Sequence, residues 1–148
     1  MTWQQFLNAQ RIRPHTTSKQ ELDDLRSLVD RDLHDAGLAG LSADRSFATS
    51  YNAALQAAKM AIACAGYRAV AKQGHHQVGF AAAELAVGPD IAGLIAYFET
   101  CRRKRNQLDY DAANIVSDTE AAEILEKARE FKQEVEDWIA KNHPGLVS

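Results

Sequence analysis

The residues best suited to chemistry lie in one stretch, Cys101 to Asp111, with the sequence Cys-Arg-Arg-Lys-Arg-Asn-Gln-Leu-Asp-Tyr-Asp. Four consecutive cations precede an amide, two carboxylates and a phenol. Cations and amides bind phosphate oxygens, and a neighbouring acid–base group could assist RNA cleavage. Cations near a helix C-terminus also complement the helix dipole. The stretch therefore fits either an anion-binding or RNA-cleaving site or an ordinary solvated helix end.

Arg105 is the cation whose position demands a partner. The apolar stripe of its helix comprises Ile91, Leu94, Ile95, Phe98 and Cys101. Continued by four and then three residues, this stripe reaches Arg105 and Leu108, whereas Arg103 and Lys104 should point toward solvent. A buried, unpaired guanidinium is costly, so Arg105 needs an anion. The candidates are Asp109 at i+4, a carboxylate on a neighbouring helix, or a phosphate.

Three other groups of residues have chemical potential. His75 and His76 lie in a glycine-flanked segment, Gly74–Gly79, which we expect to be a loop. No further His or Cys has a spacing suited to a metal, so we expect loop ordering or phosphate contact and no metal site. Tyr51 should pack in the core with its hydroxyl paired. Ser18, Ser42 and Ser117 have the positions of helix caps rather than of nucleophiles.

The bulk composition indicates one soluble domain without a cofactor. The 148 residues are 46% hydrophobic and 25% charged, and Cys64 and Cys101 match no zinc spacing, which favours buried free thiols. The net charge of −3 argues against a general nucleic-acid coat protein, although a local basic patch could still bind phosphate. No membrane-spanning run or signal peptide is evident, so a cytoplasmic location is expected.

Helical periodicity predicts an all-α fold, an antiparallel up-and-down bundle of four to five helices. Residues 1–17 form an arm or a short helix capped by Thr2, residues 18–142 form the bundle, and residues 143–148 form a tail. Within the bundle, one helix covers about 18–36, with Ser18 and Glu21 as a capping box. An alanine-rich helix from Ser42 to about Lys72 is apolar almost all round and should be central.

The rest of the predicted bundle lies after the Gly74–Gly79 segment. A short helical piece covers Phe80 to Val87, and Asp90 caps the next helix, which carries the cationic stretch. A last helix begins at the capping box Ser117–Glu120 and ends at His143. No strand is expected.

Four motifs in this order resemble the HEPN superfamily (higher eukaryotes and prokaryotes nucleotide-binding) over roughly residues 18 to 141. They are Ser50-Tyr-Asn-Ala-Ala, Gly74-His-His-x-x-Gly-Phe80, Arg105-Asn-x-Leu-Asp-Tyr-Asp111, and a Glu-Ala-Ala-Glu helix with later Ala and Phe. The resemblance implies a helical bundle, a homodimer, and a toxin–antitoxin-like module paired with a nucleotidyltransferase. In the RNase toxins of the family, an Arg-x(4–6)-His motif forms a metal-independent site.

The resemblance places Arg105 at the motif arginine and Asn106 at the polar position, but Tyr110 stands where the histidine is expected. The pKa of a tyrosine, near 10, leaves roughly one molecule in a thousand ionised at neutral pH, which makes it a poor general base. His75 or His76 could take the place of the missing motif histidine as general base only if it approaches Arg105. Tyr110 is also a candidate acceptor of nucleotidyl groups from the partner.

Three functions remain open on these residues. The first is binding of nucleotide or RNA phosphate through Arg105, Asn106 and Tyr110, with Arg102 or Arg103 assisting. Further candidates for the same site are Asp109, His75 and His76. The second is a ribonuclease toxin that uses Arg105 and Tyr110. The third is a purely structural subunit that docks on a nucleotidyltransferase.

Overall fold

A computed structural model describes residues 1–110 and 113–147, and the side chains of Asp109 and Tyr110 lie outside this description. The fold is an all-α helical bundle, as predicted. Its helices are α1 (Trp3–Asn8), α2 (Lys19–Ala36), α3 (Ala43–Cys64), α4 (His75–Val87), α5 (Ala92–Tyr110) and α6 (Asp118–Asn142). Two short strands, β1 (Ile12–Pro14) and β2 (Tyr67–Ala69), and two 3-10 turns, Pro89–Ile91 and Pro144–Leu146, complete the described elements.

Helix α3 is the centre of the bundle, as its alanine content predicts. It contacts α2, α4, α5, α6 and β2, and its alanines allow these neighbours to approach closely. The core around it is closed by large buried side chains that include Phe80 on α4, Phe98 on α5 and Phe131 on α6. The ring centroids of Phe80 and Phe98 are 5.4 Å apart and stacked, and Phe131 packs against both. These contacts fix α4, α5 and α6 relative to each other.

The prediction that the central helix continues to about Lys72 is wrong. Helix α3 ends at Cys64 because Gly66 adopts a φ of +97°, which side chains with a Cβ rarely adopt. The chain then forms β2, which pairs antiparallel with β1 in the register Ile12 to Ala69 and Pro14 to Tyr67. The expectation of no strand is therefore also wrong. A three-residue strand depends on a distant partner and leaves no periodicity in its own sequence.

The N-terminal residues pack against the bundle through β1 and α1. Phe6, Ile12 and Val78 form a small second core, and Trp3 stacks on Tyr67 with ring centroids 4.7 Å apart. The predicted capping box of Thr2 and Gln5 is present at the start of α1. Residues 1–17 thus include a helix and a strand, and they hold β2 and α4 in place.

The capping predictions are confirmed for Ser42 and Ser117, but only in part for Ser18. Ser18 accepts from the backbone N–H of Glu21, whereas the Glu21 carboxylate binds the His15 ring, at 2.8 Å, and the Thr17 hydroxyl, at 2.7 Å. Both hydrogen bonds lower the pKa of Glu21, and the bond from Thr17 has the larger effect. Asp90 is not a helix cap as predicted, because it lies within the 3-10 turn that precedes α5.

Side-chain bonds join distant elements across the bundle. Arg26 on α2 donates to both carboxylate oxygens of Glu136 on α6, at 2.9 and 3.0 Å. Asp44, in the first turn of α3, accepts from the backbone N–H groups of Asn114 and Val116. This carboxylate fixes the connection between α5 and α6 to the start of the central helix.

Candidate functional site

Arg105 lies on α5 against the central helix, where it is half-buried as its place on the apolar stripe predicts. Its Nη2 donates to Oδ1 of Asn52 at 3.2 Å, and its Cζ lies 5.8 Å from the centroid of the Tyr51 ring. That distance is within the range of a cation–π interaction. The alternative partner Asp109, like the motif residue Tyr110, has its side chain outside the described residues, so both assignments stay predictions.

His76 approaches the same aromatic ring from α4. Its ring centroid lies 5.9 Å from that of Tyr51 and 4.3 Å from that of His75. The expectation of a loop at His75 and His76 is wrong, because α4 begins at His75 after Gly74, whose φ is +82°. His75 is exposed and its Nδ1 lies 3.0 Å from the carbonyl oxygen of Lys72. The structure therefore brings His76 and Arg105 to one ring, whereas His75 does not contact that ring and lies at an exposed position next to His76.

Tyr51 is fully buried, and burial raises the pKa of its phenol, with a further increase from the Glu99 carboxylate. The expected hydrogen bond of its hydroxyl is not found: among the described residues, Tyr51 Oη, Ser50 Oγ and Glu99 Oε1 are buried without a hydrogen-bond partner. The α3–α5 contact therefore contains polar atoms at a position where an alanine-rich interface could have been apolar. Each such group costs about 1–3 kcal/mol in lost hydration.

The other cations of the stretch have separate environments. Arg102 Nε donates to Glu99 Oε2 at 3.4 Å, while Arg103 and Asn106 are exposed. The expectation that Lys104 points to solvent is wrong, because it is half-buried and pairs with Glu120 at the start of α6. This hydrogen bond from Lys104, with one from Ser117, lowers the pKa of Glu120 to about 2.

The helix-dipole explanation of the four cations also fails. Helix α5 continues to Tyr110, so its last turn contains no basic residue and the cations lie before it. Three of the positions are explained individually, by the pairs of Arg102 and Lys104 and by the contacts of Arg105, whereas Arg103 is exposed. Of these cations, Arg105 is the one that lies over the buried Tyr51 ring.

A groove of about 620 Å³ extends away from this cluster between α2 and the β2–α4 segment, with α3 as its floor. Asn52, Gln56 and Lys59 on α3 line it at spacings of four and three residues. This polar stripe on an alanine-rich helix is a sequence signal that the description of the helix as apolar all round overlooked. Asn52, a polar residue of this stripe, accepts the hydrogen bond from Arg105.

Metal coordination and thiol chemistry are not indicated by the described residues. They contain no group of three or more His, Cys, Asp or Glu side chains placed to hold a metal ion. Cys101 is buried as predicted, whereas Cys64 is only half-buried, and both are free thiols. Burial raises the pKa of Cys64 to about 11, which disfavours a reactive thiolate. None of the described helices is long and apolar enough to span a membrane.

Comparisons with protein-family models, with curated proteins and with solved structures find no match to this chain. Function must therefore be inferred from the site itself. We name the group of Tyr51, Asn52, His76 and Arg105 the Tyr51 cluster.

Replacing Tyr51 by Phe tests the energetic description of this cluster. The change removes a buried hydroxyl without a partner and keeps the ring under Arg105, so we expect unchanged or slightly increased stability, by up to about 1 kcal/mol. Tyr51→Ala should instead cost roughly 3–5 kcal/mol, as for other buried aromatic residues. Chemical denaturation measures both. A loss above about 1 kcal/mol in Tyr51→Phe would mean that the hydroxyl is hydrogen-bonded in solution.

Proposed function

We propose that this chain is a HEPN-like protein that binds the phosphate of a nucleotide or of RNA at the Tyr51 cluster. The observation that carries the proposal is that Arg105 and His76, from different helices, both lie within 6 Å of one buried ring, while Asn52 holds the guanidinium by a 3.2 Å hydrogen bond. A cation and an imidazole that both adjoin one ring would together offer donors to a dianionic oxyanion.

The chemistry of each group suits phosphate. A guanidinium presents its donors in a planar fork that matches phosphate oxygens. The Tyr51 ring and Asn52 restrict the rotation of the Arg105 side chain, so less conformational entropy is lost when a ligand binds. A neutral or protonated imidazole at His76 adds a further hydrogen-bond donor. Arg102 would contribute only long-range attraction, since it is bonded to Glu99.

The resemblance to the HEPN superfamily supplies the biological part of the proposal. It suggests a toxin–antitoxin-type module, a nucleotidyltransferase partner, a homodimer and a cytoplasmic location. The resemblance also assigns Asn106 and Tyr110 to the motif of Arg105. Asn106 is exposed, which would allow contact with a bound ligand or with a second copy.

Calorimetric titration with ATP, pyrophosphate and a short single-stranded RNA tests the binding function. Arg105→Ala should weaken binding at least roughly tenfold, because a hydrogen bond to a charged group contributes about 1.5–3 kcal/mol. Arg103→Ala is the matched control, since it removes the same charge from the same helix at an exposed position outside the cluster. Equal affinities for wild type and Arg105→Ala, or equal losses in both variants, would contradict a specific phosphate site.

The contact of His76 with the same ring that Arg105 contacts favours a second candidate, a metal-independent ribonuclease. Here His76 would replace the absent motif histidine and accept the proton of a ribose 2′-hydroxyl. The 2′-oxygen would attack phosphorus, and the 5′-oxygen would leave with a proton from solvent, giving a 2′,3′-cyclic phosphate and a 5′-hydroxyl. Arg105 would stabilise the charge that develops on the phosphoryl oxygens.

This second candidate predicts RNA cleavage by the purified chain and growth arrest on its expression. Because general-base catalysis contributes typically about 10²–10⁴-fold, His76→Ala should reduce cleavage by roughly a hundredfold or more. His34→Ala serves as the control, since His34 is an exposed histidine at the end of α2 that does not line the groove. An intact RNA substrate with wild-type protein would contradict the nuclease and leave the binding function unaffected.

A further inference from the structure

We infer that the groove beside the Tyr51 cluster binds the nucleoside part of the same ligand, so that one nucleotide lies along α3 with its phosphate at Arg105. The inference rests on the proposed phosphate site and adds the class of ligand. The shared chemistry is a base, a ribose and a phosphate, whether the nucleotide is free or belongs to a single-stranded RNA.

The size and position of the groove suit one nucleotide. Its volume of about 620 Å³ is within the range of about 300–1,000 Å³ that is usual for small-molecule sites. The floor residues extend from Asn52 to Ala63 on α3, a length of about 16 Å at 1.5 Å per residue. Asn52 and His76 line the groove and also contact Arg105 and the Tyr51 ring respectively, so this part of the groove adjoins the proposed phosphate site, although Arg105 itself is not a lining residue.

The charges in the groove favour an anion, although the whole chain has a net charge of −3. Both carboxylates that line it are already paired: Glu21 with His15 and Thr17, and Asp32 with Arg31 at 3.0 Å. Lys59 on the floor and Arg68 on the wall are exposed and form no hydrogen bond or ion pair with other described residues. Two cations are thus available to a ligand, whereas each of the two carboxylates already has a partner within the chain.

The uncharged lining suits a base and a ribose. Leu25, Leu55 and Ile62 provide apolar surface on two sides of the groove, and the amides of Asn52 and Gln56 offer donors and acceptors between them. The Tyr67 ring also lines the groove but is stacked on Trp3, so it is a fixed part of the wall. An apolar lining with a few polar groups is typical of small-molecule sites.

Gly79 keeps the wall of this groove open. It lies inside α4, where glycine disfavours the helix relative to alanine. Apart from its chain neighbours and the nearby backbone of α4, no atom lies within 4 Å of where its Cβ would be. Neither packing nor a positive φ therefore explains a glycine at this position. A side chain there would enter the groove, which Gly79 lines. Glycine at this position makes α4 less stable than alanine would, but it leaves the space beside the floor residues unfilled.

Titration of the full chain with AMP, ATP, pyrophosphate and a short single-stranded RNA tests the inference. The wild type should bind ATP at least tenfold more tightly than pyrophosphate, because the base and the ribose add contacts in the groove. Gly79→Leu should bind ATP no more tightly than pyrophosphate, while its pyrophosphate affinity stays within twofold of the wild type. Gly79→Ala should raise the melting temperature and retain most of the ATP affinity.

Lys59→Glu places an anion at an exposed position of the floor, so it tests the groove even if Gly79→Leu does not fold. It should weaken ATP binding at least tenfold. Equal affinity for AMP and for RNA would show that a free nucleotide makes all the contacts needed for binding. Binding of RNA without binding of AMP or ATP would show that the ligand is a nucleotide within a strand.

Two results would overturn the inference. The first is a wild-type ATP affinity in Lys59→Glu or in a folded Gly79→Leu variant. It would show that the ligand does not occupy the groove, and it would leave the proposal of phosphate binding at Arg105 intact. A wild type that binds neither pyrophosphate nor nucleotide nor RNA would overturn the groove and the proposed function together.

Discussion

The guanidinium of Arg105 joins α5 to the central helix, because it donates to Asn52 and lies over the Tyr51 ring. Helix α3 is otherwise packed through alanines and large apolar side chains, which provide most of the hydrophobic stabilisation of the bundle. The α3–α5 contact is different, since it contains a cation, an amide and a buried phenol. The proposed site depends on this contact, because it fixes the orientation of the guanidinium before any ligand binds.

The position of His76 depends on the segments that surround α4. Gly66 ends α3, β2 pairs with β1, and the second core of Phe6, Ile12 and Val78 holds the start of α4 against the bundle. The T-shaped contact of Tyr51 with Phe80, at 5.7 Å between centroids, fixes the next turn of α4. The N-terminal residues therefore have a structural part in the site, although none of them belongs to the Tyr51 cluster.

Much of the bundle follows from sequence patterns, but the composition of the site does not. The buried stripe of α5 and the caps of α1, α3 and α6 depend on residues three or four apart, so they are visible in the sequence. The pairing of β1 with β2 joins residues more than fifty positions apart and has no local pattern. The contact of Arg105 with Asn52 also joins residues 53 positions apart, and that of His76 with Tyr51 joins residues on different helices, so neither has a local pattern.

Glycine positions show the same limit of sequence reasoning. A glycine in a sequence is evidence for a break, and Gly66 does end a helix. Gly79 is instead part of a continuous helix, and the reason for it is the open space beside the groove, which depends on the packing of α2, α3 and α4. Glycines usually mark helix breaks, which is why the sequence predicts a helical piece only from Phe80. In the structure α4 already begins at His75 and includes Gly79.

The most direct test of the account is a chemical-shift titration of the isotopically labelled chain with ATP. If the ligand occupies the Tyr51 cluster and the groove, the largest changes will be at the backbone amide of Gly79, the side-chain amides of Asn52 and Gln56, and the His76 ring. The resonances of α6 residues remote from the groove, such as Asp137 and Trp138, will remain in place. Saturating ATP that leaves the Gly79, Asn52 and His76 signals unmoved would contradict the account.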